Sequence, residues 1–175
     1  MSGNHGSMTA FHLANLCFET LMEYGKAAKV SCDAGVTSQA LENVVEANTL
    51  LSGLGFESGG LATAHSIHNG LTVLKPTHDY YHGEKVAVGT LASLFLTGKP
   101  TELINQVYGF CAGIGLPVTL EQIGLKDVSD DDLRKVAEAA VKEGETIHNE
   151  ALPVSAMAVF ASLKMADEYG KDFCE

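Results

Sequence analysis

Apolar residues recur at intervals of three and four along almost the whole of this chain, and nowhere do they alternate over the length of a strand. That spacing matches a helical turn of about 3.6 residues, so the chain can bury its apolar surface only by packing helices on one another. The first such segment covers residues 7–28, where Phe11, Leu13, Ala14, Cys17, Phe18, Leu21 and Met22 form a broad apolar face. A second covers residues 38–51 through Leu41, Val44, Val45, Asn48 and Leu51, after which Gly53, Gly55, Gly59 and Gly60 interrupt the pattern. A helix carrying His65 is expected to stop at Asn69-Gly70, where glycine accepts a left-handed conformation. Residues 83–96 are almost entirely apolar and predict a buried central helix. Residues 101–114 follow Pro100 and end among glycines, Gly113 and Gly115.

Ser129 reads as an N-cap, because three aspartates follow it where a helix dipole favours negative charge. Leu133, Val136, Ala140 and Val141 keep the period beyond it. A last helix over residues 155–169 carries Met157, Val159, Phe160, Leu163 and Met165, read as core filling. The β-branched run Leu71 to Leu74 is too short to anchor a sheet. The expected fold class is therefore all-α, a helical bundle forming a single domain over residues 1–175.

Charge and cysteine usage narrow the function classes. Twenty-two acidic against 11 basic residues give a net charge of −11, a field that repels phosphate backbones and anionic lipid. Lys26 and Lys29 are the densest basic pair outside the histidine region, too few to hold a polymer. Nucleic acid and membrane are thus excluded as expected partners. No apolar stretch reaches the roughly 20 residues that span a bilayer, and no export signal opens the chain, so a cytoplasmic location is expected. Cys17, Cys32, Cys111 and Cys174 are widely spaced and read as packed or surface thiols rather than disulfides.

The chemistry concentrates between Gly53 and Lys85, where His65, His68, His78 and His82 stand in a Gly-rich apolar context. Imidazole is the commonest metal ligand and titrates near neutral pH. His65 and His68 are three residues apart, so on a helix they point the same way. His82 opens the next apolar run and can meet that pair across a short loop. Spacing alone leaves His65 and His82 open between metal ligands and hydrogen-bonded core histidines. His78, beside Asp79 and two tyrosines, reads as structural. Glu84 is either a partner for a histidine or a carboxylate at the start of a helix.

The blocks GFESGGLATAHSIHNG and HGEKVAVGTL resemble the metal-site region of NAD-dependent glycerol dehydrogenases, members of the iron-type (group III) alcohol dehydrogenase superfamily. The likeness continues upstream through ALENVVEANTLLSG to FHLANLCFETLMEYG. It implies the helical C-terminal domain of that family, with His65 and His82 as ligands of Zn or Fe. It implies further that Phe56 lines the substrate pocket and that His68 stands beside the ligand helix as a supporting or proton-relay residue.

The departures from the family are as informative. Its nucleotide-binding α/β domain has no counterpart in these residues, and a third ligand, an aspartate, aligns before Met1. Asp33 lies in a context that does not match it. The expectation is a truncated C-terminal part of a glycerol dehydrogenase, inactive alone, using NAD only when an N-terminal domain completes it. The alternative is a non-catalytic helical metal-binding or oligomerisation module left by gene truncation or splitting. Expected partners are further copies of the chain, a separate nucleotide-binding polypeptide and a small polyol.

Overall fold

The computed structural model describes residues 6–174, and among them every regular element is helical. The principal helices are α1 (Met8–Asp33), α2 (Gln39–Glu46), α3 (Ser52–Gly59), α4 (Thr63–Leu71), α5 (His82–Leu96), α6 (Thr101–Ile114), α7 (Asp130–Ala140) and α8 (Ala156–Gly170). The all-α fold class expected from the periodicity is the one observed. No helix among the described residues is long and apolar enough to cross a membrane. Chain contacts group the residues into two compact units, Met1–Gly60 and Leu61–Glu175.

In the first unit, Ser7 caps α1 by accepting a hydrogen bond from the Ala10 amide at 3.1 Å, and Ser38 does the same for α2 through Leu41. The glycines after residue 51 do not interrupt the second helix. A π-helical turn at Ala47–Leu51 carries α2 directly into α3, and the helix stops only at Gly60, where φ reaches +77°. Packing against α1 offsets the helix penalty of Gly55, which is about 1 kcal/mol for a glycine. Gly55 lies directly against the Ala14 backbone. The apolar face expected on α1 is only partly buried. Ala10, Gly25, Ala28 and Ser31 are the buried positions, whereas Phe11 is 68% exposed.

In the second unit, the core gathers Ile67 and Leu71 of α4, Val88 and Leu91 of α5, Tyr108 of α6, Leu133 and Val136 of α7, and Val159 and Leu163 of α8. α5 is the buried helix that its composition predicts. The Tyr108 hydroxyl donates to the Ala166 carbonyl at 2.7 Å, so the largest wholly buried side chain is also satisfied. Ser129 caps α7 as expected, and Ser155 caps α8. The α8 methionines are a correction. Its inward stripe is Val159, Ser162, Leu163, Ala166 and Gly170, and this places Met157 and Met165 on the opposite, exposed face. Phe160 is half-buried beneath the Arg134 guanidinium, 4.4 Å from the ring centre.

Gly70 is a second correction. α4 runs past it to Leu71 and ends at Thr72 in ordinary right-handed geometry. The glycine is needed for packing instead, because a β-carbon there would fall 2.4 Å from the Val136 carbonyl oxygen. All four cysteines are free thiols. Cys111 is buried, and burial pushes its thiol up to about 11, which makes it a poor nucleophile.

Candidate metal centre

The site is built where α4 meets the start of α5. Gly89 of α5 lies so near α4 that a β-carbon on it would sit 2.3 Å from the Ala64 carbonyl oxygen. His65, the next residue of α4, and His82, the first of α5, are thereby brought together with ring centres 5.4 Å apart. His68, one turn along α4, has its ring centre 4.2 Å from that of His82. A hydrogen bond of 3.1 Å joins His68 Nε2 to His82 Nδ1. The three imidazoles singled out by their spacing thus converge.

His65 and His68 are half-buried, and His82 is exposed. Burial holds His65 below its ordinary pKa, and the His82 and His68 rings push in the same direction. Burial likewise lowers His68, against the raising effect of its hydrogen bond to Asn69, with His82 and Lys85 adding to the depression. Both rings are therefore biased toward the neutral form, the one that binds a metal. Among the described residues, no three His, Cys, Asp or Glu side chains form a set that holds a metal unaided. Two imidazoles on facing helices fit part of a metal's donor set, and any further donor lies outside them.

The residues around the histidines are structural supports. His78 sits in a 3-10 turn (Lys75–Asp79), its Nε2 2.8 Å from the Thr72 carbonyl at the end of α4. Glu84 is taken up by the helix start, accepting from the Tyr81 amide at 2.6 Å. Lys85 is buried and donates to the Thr77 and Tyr80 carbonyls at 3.0 and 2.9 Å, which fixes the loop that delivers His82. Phe56 lies on α3 in the first unit and is 48% exposed.

Sequence reasoning missed the segment that aligns α4. Glu150 accepts from the Thr63 amide and hydroxyl, and the Ile147 amide donates to Ser66 Oγ at 2.7 Å. Glu145 Oε2 accepts from Asn69 Nδ2 at 2.9 Å. The local sequence carried no sign of these contacts, because the partners are 76 to 87 residues apart.

The chain is 64% identical over 171 residues to a glycerol dehydrogenase of Thermotoga maritima, covering 98% of this chain and 47% of that protein. The chain matches the C-terminal part of glycerol dehydrogenases. The chain spans about half the length of the curated relatives it matches, and corresponds to their C-terminal part. A glycolaldehyde reductase of Halobacterium salinarum is 48% identical over 169 residues, covering 97% of this chain and 46% of that one. The crystal structure of glycerol dehydrogenase from Schizosaccharomyces pombe superimposes with a TM-score of 0.92 at 42% identity, over 98% of this chain and 44% of that one. No family model matches the chain.

Proposed function

We propose that this chain contributes the metal-holding part of an oxidoreductase that acts on glycerol or a similar small hydroxylated compound with NAD. The convergence of His65 and His82 from two helices, inside a chain of this family, carries the reading. The two imidazoles hold a divalent metal, Zn or Fe, together with a donor supplied from outside these residues. Such a metal supplies Lewis-acid chemistry, lowering the pKa of a substrate hydroxyl. His65 and His82 keep lone pairs available for it, and the hydrogen bond between His82 Nδ1 and His68 Nε2 orients the His82 ring. His68 is also placed to pass a proton along that bond. NAD is held by a nucleotide-binding part outside residues 1–175, so turnover requires both parts. The names of the relatives, a glycerol dehydrogenase and a glycolaldehyde reductase, support a substrate with adjacent oxygen-bearing carbons.

Calorimetric titration of Zn²⁺ into the metal-stripped chain, beside the His65→Ala/His82→Ala double variant, tests this. The wild type is expected to take up zinc and the double variant to show no measurable uptake. Equal uptake by both would sink the reading, whereas none by the wild type would make the donor from outside these residues indispensable.

The first unit supports association with further copies. Phe11 and Phe18, seven residues apart on one face of α1, are both more than a third exposed, and exposed apolar side chains that share a face favour association. Sedimentation velocity is expected to show mass rising with concentration. A monomer at every concentration would count against association.

A further inference from the structure

We propose that Glu145 and Asn69 are positioning residues that fix the tautomer of His82, leaving its Nε2 lone pair free for a metal; the metal clause rests on the reading above. Four side chains stand in line. Glu145 Oε2 accepts from Asn69 Nδ2 at 2.9 Å, Asn69 Oδ1 lies 3.0 Å from His68 Nδ1, and His68 Nε2 lies 3.1 Å from His82 Nδ1. Each link removes a choice from the next. A carboxylate can only accept, so the Asn69 amide must turn its NH₂ toward Glu145. That leaves the amide oxygen facing His68, and an amide oxygen also only accepts, so the proton of His68 sits on Nδ1. A ring with its one proton there offers a lone pair at Nε2. His82 must then donate from Nδ1, and its own Nε2 is left bare.

Glu145 is well placed to set this order. Its amide donates to the Lys142 carbonyl at 3.1 Å. The next two residues are tied to α4 by Thr146 Oγ1 donating to the Ala62 carbonyl at 2.9 Å and the Ile147 amide donating to Ser66 Oγ at 2.7 Å. The carboxylate is therefore held beside the last turn of α4. Without it, the Asn69 amide is free to rotate and present its NH₂ to His68. Every proton in the row then shifts by one position, and His82 carries hydrogen on Nε2, where a metal would bind.

Long-range ¹⁵N–¹H correlation spectra of the full chain, recorded above the imidazole titration range, read the tautomers directly. Zinc calorimetry on the same samples reads affinity. The wild type is expected to hold the His82 proton on Nδ1. In Glu145→Gln, whose amide can donate as well as accept, the Nε2–H form gains population and zinc affinity falls about tenfold or more. The double variant Glu145→Gln/Asn69→Asp returns an acceptor-only group to His68 and is expected to restore both readouts. A wild-type His82 protonated on Nε2, or a tautomer unmoved by Glu145→Gln and by Asn69→Leu, overturns the proposal. Tautomers that shift as expected while no chain binds zinc uphold the relay and overturn the metal clause.

Discussion

Gly89→Ala is expected to force α4 and α5 apart, lower stability by about 3 kcal/mol or more, and weaken metal uptake at His65 and His82. The added β-carbon would lie 2.3 Å from the Ala64 carbonyl oxygen, where ordinary carbon–oxygen contact needs about 3.3 Å, and 3.1 Å from the Ala64 Cα. Neither atom is at the end of a flexible side chain. Relief requires moving one helix bodily, and both helices are packed into a single core through Ile67, Leu71, Val88 and Leu91. The melting temperature should fall by roughly 10 °C. Gly109→Ala on α6 is the matched control, because nothing lies within 4 Å of a β-carbon there. It is expected to be neutral or to stabilise by up to about 1 kcal/mol through helix propensity. A Gly89→Ala chain that melts with its parent would mean that the close approach carrying the two ligand helices is absent.

Gly170→Ala is expected to destabilise the chain at least as much, about 3 kcal/mol or more, while leaving zinc affinity unchanged. A β-carbon at the end of α8 would fall 1.9 Å from the Val118 carbonyl oxygen. The Val118–Leu120 segment cannot simply withdraw. Gln122 Oε1 accepts from the Val118 and Thr119 amides, and Asp167 Oδ1 accepts from the Leu120 amide at 2.7 Å. None of these groups belongs to the row of hydrogen bonds through His68 and His82. Thermal melts and zinc titrations of the two glycine variants should therefore separate, with stability lost in both and metal affinity lost only in Gly89→Ala. Loss of affinity in Gly170→Ala as well would show that the histidines report global stability rather than the α4–α5 crossing.

The histidine cluster was legible because it is local. His65 and His68 share a helix face by periodicity, and a loop of 10 residues between α4 and α5 is short enough to return His82 to them. The Ser129 cap was legible for the same reason, since a cap acts within its own helical turn. The errors have one physical origin. Periodicity marks an apolar face without saying how much of it a neighbour covers, so Phe11, Met157 and Met165 were placed inward when they are exposed. Glycine was read as a breaker at Gly53 and Gly55 and as a stop at Gly70, although all three lie inside helices, with Gly55 and Gly70 packed against neighbouring helices.

The amino-acid sequence by itself determined the helical class, most helix starts, the family and the identity of the two candidate ligands. These rest on interactions between residues a few positions apart, or on motifs contiguous in the chain. Only the tertiary structure decided which glycines allow backbones to touch. It alone showed that Lys85 fixes the loop before His82, and that Glu145 stands at the head of the row of hydrogen bonds leading to it. Those contacts depend on helices meeting across the core, and a residue such as Glu145 acquires its role only when folding sets it beside an amide 76 positions away.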